Sequence, residues 1–395
     1  MKLIKAGITA AKGFLSAGVH CGIKFRNKDL ALIYSQAPCA ACAVFTQNKV
    51  QAAPLKVTRA HLRNNRAQAV VINSGNANCS TGKTGLADAR NTCSEVARQL
   101  GVKQGDVLVA STGIIGKRLP LFKIKQAIPG LCSALDRNSG LEAARAIMTT
   151  DRHPKQMAVE LNLAGAKVTI GAMAKGAGMI HPNMATMLSF ICTDALIEPL
   201  VLKQALKQAA DNSFNLVTVD GDTSTNDMVI ALANGLAGNS KMQQKDLQLF
   251  QRALDFVCLN LAKMIVRDAE GATKFIEVRV EGANNFAQAK KIAFGVARSP
   301  LVKTAIFGSN PNWGRIAAAC GAAERGVNAD KLGIYLGRVK VMDKGAASKI
   351  NAQALKSAFQ DKQVLIRISL GLGEASTRVF TCDLSDRYIK INARY

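Results

Sequence analysis

A short block near the middle of the chain sets the tightest limits on what this sequence can fold into: Lys175-Gly176-Ala177-Gly178-Met179-Ile180-His181-Pro182-Asn183-Met184-Ala185-Thr186-Met187-Leu188. Glycines break its first half. Its second half runs into Leu188-Ser189-Phe190-Ile191-Cys192, an apolar run with the length of a buried strand. Thr186 is the last small polar residue before that strand. Two readings fit. In one, the block is a glycine-rich turn entering a core strand, and Thr186 is an ordinary strand-edge residue. In the other, Thr186 is a nucleophile. A threonine hydroxyl is a poor nucleophile without a base. A chain cut between Ala185 and Thr186 supplies one, because Thr186 then carries a free α-amine with an ordinary pKa of ~7.7–8.0.

With 395 residues, 48% of them hydrophobic, the chain can bury a large core and hold more than one domain. No apolar run reaches the ~18 residues that a membrane helix needs. The opening MKLIKAGITAAKGF is interrupted by lysines and has no continuous apolar stretch of the signal-peptide kind. Ten dispersed cysteines point to reduced thiols and a cytoplasmic setting. Cys39-Ala40-Ala41-Cys42 is the one C-x-x-C. It lacks a second ligand pair for zinc, and two small buried thiols fit it better than a redox pair. No metal is implied. The net charge of +25 permits nucleic-acid binding or steering of acidic substrates. The basic residues are dispersed, however, and aromatic residues for base stacking are few. The charge reads mainly as a solvated surface.

Along the chain, residues 13–24 are small and glycine-punctuated and suggest tight backbone packing. Ala67 to Asn73 reads as a buried strand entering a turn-rich loop, 73–82. Leu86, Ala89, Cys93, Val96 and Leu100 follow helical spacing, with Gly101 as the stop. Val107 to Ala110 is a short strand ending in Ser111-Thr112-Gly113. There, backbone N–H groups and hydroxyls are the parts of an oxyanion hole, though many turns carry the same residues. Pro199 opens a helix. Residues 219–227, Val-Asp-Gly-Asp-Thr-Ser-Thr-Asn-Asp, form a polar loop with three acids that fits a hydrogen-bonded loop near a site better than a metal loop. Asp246 to Arg267 is a long helix. Strands are expected at Phe275–Val280, Thr304–Phe307, Gly333–Leu336, Val364–Ser369 and Val379–Cys382. Strands mixed with helices without a strict βαβ repeat indicate a layered α/β or α+β fold.

Taken together, GFLSAGVHCGIK, NSGNANCSTG, ASTGIIG, KGAGMIHPNMATML, VDGDTSTND, RDAEGATK, PNWGRIAAACG and TCDL span nearly the whole chain. In this order they resemble the ornithine acetyltransferases, also called bifunctional glutamate N-acetyltransferases. The resemblance implies a layered αββα-type sandwich that looks like the N-terminal-nucleophile hydrolases but differs in topology. It implies self-cleavage between Ala185 and Thr186 into an alpha fragment, 1–185, and a beta fragment, 186–395. The two fragments would share one intertwined core, with a smaller C-terminal subdomain around 280–395, and would assemble as an α2β2 heterotetramer. The implied reaction is ping-pong: the acetyl group of N2-acetyl-L-ornithine passes to Thr186 and then to L-glutamate, in arginine biosynthesis. No cofactor is implied, although acetyl-CoA serves some members as donor.

The same resemblance assigns roles. Thr186 is the nucleophile, Thr112 and Gly113 the oxyanion pair, and Lys175, Glu270 and Asn392 substrate-binding residues. Read alone, Lys175 is a surface lysine, Glu270 a helix-end acid and Asn392 a loop residue. Three positions depart from the family pattern. Arg152 stands where a substrate-contacting threonine is usual. Arg394 stands where the usual ending has an acid, and no terminal hydroxyl residue follows Tyr395. Asn310 stands where an acid usually precedes P-N-W-G-R. The added positive charge suggests altered acceptor preference or one lost substrate contact, with acyl transfer retained. Two competing readings are a related self-processing amidohydrolase or aminopeptidase, and a basic nucleic-acid-binding protein on an inactive scaffold.

Overall fold

A computed structural model describes residues 1–181, 187–349, 353, 355, 358–359 and 361–394. The chain divides into two compact units. One comprises Met1–Gly176, Asn183–Asn215 and Thr223–Ile265; the other comprises Ala177–Pro182, Leu216–Asp222 and Val266–Tyr395.

The strands of the first unit are β1 (Lys2–Ile4), β2 (Phe14–Val19), β3 (Leu30–Phe45), β4 (Arg66–Asn76), β5 (Val107–Ile114), β6 (Lys155–Leu163), β7 (Ala166–Lys175), β8 (Leu188–Thr193) and β9 (Met228–Ala233). Its helices are α1 (Ala53–His61), α2 (Gly82–Leu100), α3 (Leu121–Ser133), α4 (Gly140–Ala146), α5 (Pro199–Asp211) and most of α6 (Gln244–Arg267). The sheet runs β1-β6-β7-β8-β9-β3-β4-β5, with β2 alongside β3. Strand β3 is the joint. Its first half pairs with β2 and β4, and residues 40–45 pair with β9.

Alternation along the strands sorts side chains onto two faces. Ala69 and Val71 of β4 face a core shared with Val96 of α2 and Ile124, Ile128 and Leu131 of α3. Val70 and Ile72 face the other way. They join Leu108 and Ala110 of β5, Leu188 and Phe190 of β8 and Ile230 and Leu232 of β9 in a second core. The two halves of the sheet therefore pack on each other. On the far side, α5 lies against β3 and β9, and the Gln251 amide of α6 donates to the Ala205 carbonyl of α5 at 3.2 Å. The layers read helix, sheet, sheet, helix, as the resemblance implied.

The second unit carries a sheet in the order β13-β12-β11-β14-β10-β15. Its strands are β10 (Phe275–Ala283), β11 (Gly333–Leu336), β12 (Val339–Asp343), β13 (Ala346–Ala347), β14 (Gln363–Ser369) and β15 (Ala375–Cys382). Helices α7 (Phe286–Arg298), α8 (Pro300–Phe307) and α9 (Trp313–Ala323) cover its core, and α10 (Asp386–Asn392) follows β15.

Most expected elements are present, and α2 ends on Gly101 at φ 66°. Three expectations need correction. Thr304–Phe307 is the end of helix α8, not a strand. Pro300 starts that helix, the Ser299 hydroxyl caps it by accepting from the Val302 amide, and Val302, Ala305 and Ile306 form its buried face. The turn-rich loop after residue 73 begins later, because β4 continues through Asn76. Asn392 ends a helix instead of lying in a loop. Cys39 and Cys42 are both buried in β3, three positions apart, so their side chains leave opposite faces of the strand. Burial pushes both thiols up to about 12. Among the described residues, no helix is long and apolar enough to cross a membrane.

Candidate active site

In the first unit, a buried charge cluster forms where the two halves of the sheet meet at their ends. Lys175 is the last residue of β7 and Thr112 lies near the end of β5. Both belong to the set of alternating positions that faces the shared core, so they meet beyond its last apolar pair. The Lys175 ammonium donates to the Thr112 hydroxyl at 3.3 Å and to the Thr149 hydroxyl at 2.7 Å. Lys175 is only 4% exposed, which overturns its reading as a surface lysine.

A buried ammonium needs compensation, and Asp151 supplies it. One carboxylate oxygen of Asp151 accepts from the Lys155 ammonium at 2.7 Å and from the Gly176 amide at 2.7 Å. The other accepts from the Thr149 amide at 3.0 Å and lies 3.9 Å from Lys175. Burial alone would raise the Asp151 pKa. Lys175 and Lys155 outweigh it and hold the carboxyl far below its usual range.

A third amine approaches the same corner. The Asp29 carboxylate accepts from the amides of Cys21, Ile23 and Lys24 at 2.6–2.8 Å, which folds the glycine-punctuated segment back on itself. The Lys24 ammonium then reaches the Met148 carbonyl at 2.9 Å. Burial, together with the like charge of Lys175, lowers its pKa to about 8 against the pull of Asp29.

Gly113 follows Thr112 at φ 133°. A side chain there would start 2.3 Å from the Gly75 carbonyl carbon, so only glycine allows β4 and β5 to approach this closely. Arg152 is exposed, next to Asp151 in sequence. Thr186 and Ala185 lie outside the described residues.

In the second unit, Glu270 follows the end of α6 and is 8% exposed. Its amide donates to the Ala177 carbonyl at 3.0 Å. Its carboxylate lies over Gly178, where an added Cβ would come within 2.4 Å of Oε2. The Asn392 side-chain amide donates to that same oxygen at 2.8 Å. Glu270 and Asn392 are thus brought together, and the second glycine of the central block is the space their contact requires. Nearby, Asp220 accepts from the amides of Met179 and Ile180 at 2.6 and 2.8 Å and from the Tyr388 hydroxyl at 3.3 Å.

His181 completes this region. The Thr218 hydroxyl gives its one hydrogen to the Ile180 carbonyl at 3.0 Å, so it can only accept from His181 Nδ1, at 3.3 Å. Arg298 can only donate, so His181 Nε2 accepts from it at 3.4 Å. The ring is therefore the neutral Nδ1–H tautomer. Burial and the Arg298 charge lower its pKa to about 4.

Sequence reasoning did not single out Asp151, Lys155, Lys24 or Asp29. The available signals were two pairs: Asp151 with Lys155 four residues on, and Lys24 with Asp29 five residues on.

A buried lysine bonded to a strand-end threonine, with a glycine next to it, suits an enzyme that moves acyl groups. The ArgJ family model matches residues 15–395. The arginine biosynthesis bifunctional protein ArgJ of Dehalococcoides mccartyi (strain CBDB1) is 48% identical, over 98% of this chain and 96% of its own. That of Symbiobacterium thermophilum is 46% identical over the whole of both. A solved ornithine acetyltransferase from Mycobacterium tuberculosis, complexed with ornithine, is 41% identical over 46% of this chain and 97% of its own, with a TM-score of 0.43. The chain belongs to the ArgJ family, the bifunctional ornithine acetyltransferases and glutamate N-acetyltransferases of arginine biosynthesis, and is an enzyme of that pathway.

Proposed function

We propose that this enzyme works through Thr186, freed by self-cleavage after Ala185, in a ping-pong transfer of acetyl from N2-acetyl-L-ornithine to L-glutamate. In the first half-reaction the Thr186 hydroxyl attacks the acetyl carbonyl, its proton passes by way of the α-amine to the departing ornithine amine, and an acetyl ester remains. In the second, the amine of glutamate attacks that ester, and the hydroxyl recovers its proton.

The observation that carries this reading is the bonding of Lys175. It donates to the Thr112 oxygen, which leaves the Thr112 O–H free to donate to a developing oxyanion beside Gly113. The same ammonium is the natural partner of the α-carboxylate that ornithine and glutamate share. Glu270, oriented by Asn392, is the acceptor for a substrate ammonium, and Arg152 adds an exposed positive charge next to Asp151 in sequence.

The two fragments, 1–185 and 186–395, remain together as an α2β2 assembly. Strands β1–β7 precede the cut while β8 and β9 follow it in the same sheet, so separating the fragments would tear the sheet. The protein works in the cytoplasm without a cofactor.

The test is to incubate the enzyme with N2-acetylornithine and no acceptor, then map its peptides by mass. The expected result is one acetyl group on the peptide that begins at Thr186, discharged on adding glutamate. Release of ornithine without that acetyl peptide would contradict the mechanism.

A further inference from the structure

Lys24 brings to the charged corner of the first unit an ammonium that the proposed reaction leaves unused. The residue is half-buried. Its aliphatic stem lies over Gly75, where an added Cβ would come within 2.9 Å of Lys24 Cγ. Gly75 pairs with Gly113 across β4 and β5. One residue earlier, the Ser74 hydroxyl donates to the Ala146 carbonyl at 2.5 Å and ties the end of α4 to β4. Two ammonium groups then hold successive residues of the segment that follows. Lys24 donates to the Met148 carbonyl at 2.9 Å, and Lys175 donates to the Thr149 hydroxyl at 2.7 Å.

The two ammonium groups differ in their counter-charges. Asp151 lies 3.9 Å from Lys175. The acid nearest to Lys24 in sequence, Asp29, is spent on the amides of Cys21, Ile23 and Lys24. Among the described residues, the Lys24 ammonium makes its hydrogen bond to a neutral carbonyl, so donors of a group that has three stay open to a ligand. Burial, with the like charge of Lys175 added to it, lowers the Lys24 pKa to about 8 against the pull of Asp29. That is the mark of a cation short of an anion. We propose that Lys24 is a specificity-determining residue that receives the side-chain carboxylate of glutamate, while Lys175 receives the α-carboxylate. The inference rests on the reading of this site as one that takes ornithine and glutamate in turn. Both substrates carry an α-carboxylate, so Lys175 cannot tell them apart. Their side chains end in opposite charges, and an under-matched ammonium attracts one and repels the other. Lys24 therefore favours the acceptor over the donor once the acetyl group is on the enzyme.

The test is steady-state kinetics of the parent, Lys24→Met and Lys24→Arg, with N2-acetylornithine as donor and glutamate or glutamine as acceptor. Thermal unfolding is followed in parallel. Glutamine keeps the shape of glutamate and lacks its side-chain charge. The parent is expected to prefer glutamate to glutamine in kcat/KM. Lys24→Met is expected to raise KM for glutamate about 10- to 100-fold, the size of effect that losing a charged hydrogen-bond partner gives. It should not raise KM for N2-acetylornithine, and it should lose the preference over glutamine, which Lys24→Arg should keep. A packing defect would raise both KM values together. That result, or an unchanged KM for glutamate, overturns the inference alone. So does a parent that uses glutamine as well as glutamate, whether or not the variants fold. If Lys24→Met does not fold, Lys24→Gln is read by the same criteria. A parent that transfers acetyl to neither acceptor overturns the inference together with the reading it rests on.

Discussion

The two candidate binding regions, one in each unit, handle charge in opposite ways. In the first unit, Lys175 and Lys155 crowd one carboxylate, Asp151, which is bonded on both oxygens and fully committed. Lys24 adds a third amine through the Met148 carbonyl. The balance there is positive and suits the carboxylate of an amino acid. In the second unit, Glu270 is bonded through Oε2 to a neutral amide, Asn392. The nearby histidine is held neutral, and Tyr388 offers its hydroxyl to Asp220. The balance there is negative and suits an ammonium. In the first region the charges hold one another and the fold together. In the second, the acid stands on a scaffold of neutral partners. The difference is one of chemistry: the first region offers buried ammonium groups, the second a buried carboxylate.

The largest expected effect breaks the first region. Asp151→Ala leaves two buried ammonium groups without their shared carboxylate, and breaking a buried pair costs ~3–5 kcal/mol. Denaturant unfolding should show a loss of that size. Glu270→Gln, which keeps the shape and the oxygen that Asn392 bonds, should leave stability nearly unchanged. Equal losses for the two variants would erase the contrast.

Next in size is Thr112→Val. It removes the hydroxyl that Lys175 bonds while keeping the side-chain volume. Loss of one oxyanion donor costs ~2.7–4 kcal/mol, or about 100- to 1,000-fold in kcat. The check is steady-state kinetics with N2-acetylornithine and glutamate, in which kcat should fall far more than KM rises.

The smallest effect concerns the second region. His181 has a folded pKa of about 4, below its ordinary value near 6.5. The unfolded chain therefore takes up a proton first as pH falls. The stabilising contribution of the neutral ring is complete above pH 6.5 and is lost as pH falls from there toward 4. An NMR titration of the His181 ring should find its midpoint near 4. A midpoint near 6.5 would mean that the ring is not held between Thr218 and Arg298.

The fold was more legible in the sequence than the site. Strands at 67–73, 107–110 and 188–192 announce themselves as short apolar runs, and α2 announces itself by its spacing and by Gly101, because burial and backbone geometry act on neighbouring residues. Thr304–Phe307 misled because four residues with a β-branched pair resemble a strand, while the cap that makes them helical sits at Ser299 and Pro300. The site depends on partners far apart in sequence. Nothing near Lys175 says that it is buried, because its carboxylate, Asp151, lies 24 residues earlier, and Thr112 lies 63 residues earlier. Glu270 and Asn392 are 122 residues apart. Resemblance to a family could name Lys175, Thr112, Glu270 and Asn392. It could not supply the Asp151 cluster that makes a buried Lys175 affordable, nor the Asp220 and Asp227 carboxylates that bond the Met179, Ile180 and Met187 amides on either side of residues 182–186.

The central claim is that Thr186 becomes a chain terminus and a nucleophile, and an intact mass spectrum of the purified protein beside Thr186→Ala tests it most directly. The account predicts two fragments in the parent, residues 1–185 and 186–395, and one uncut chain in the variant. A single uncut chain in both would contradict it, because Thr186 would then have no α-amine to serve as its base.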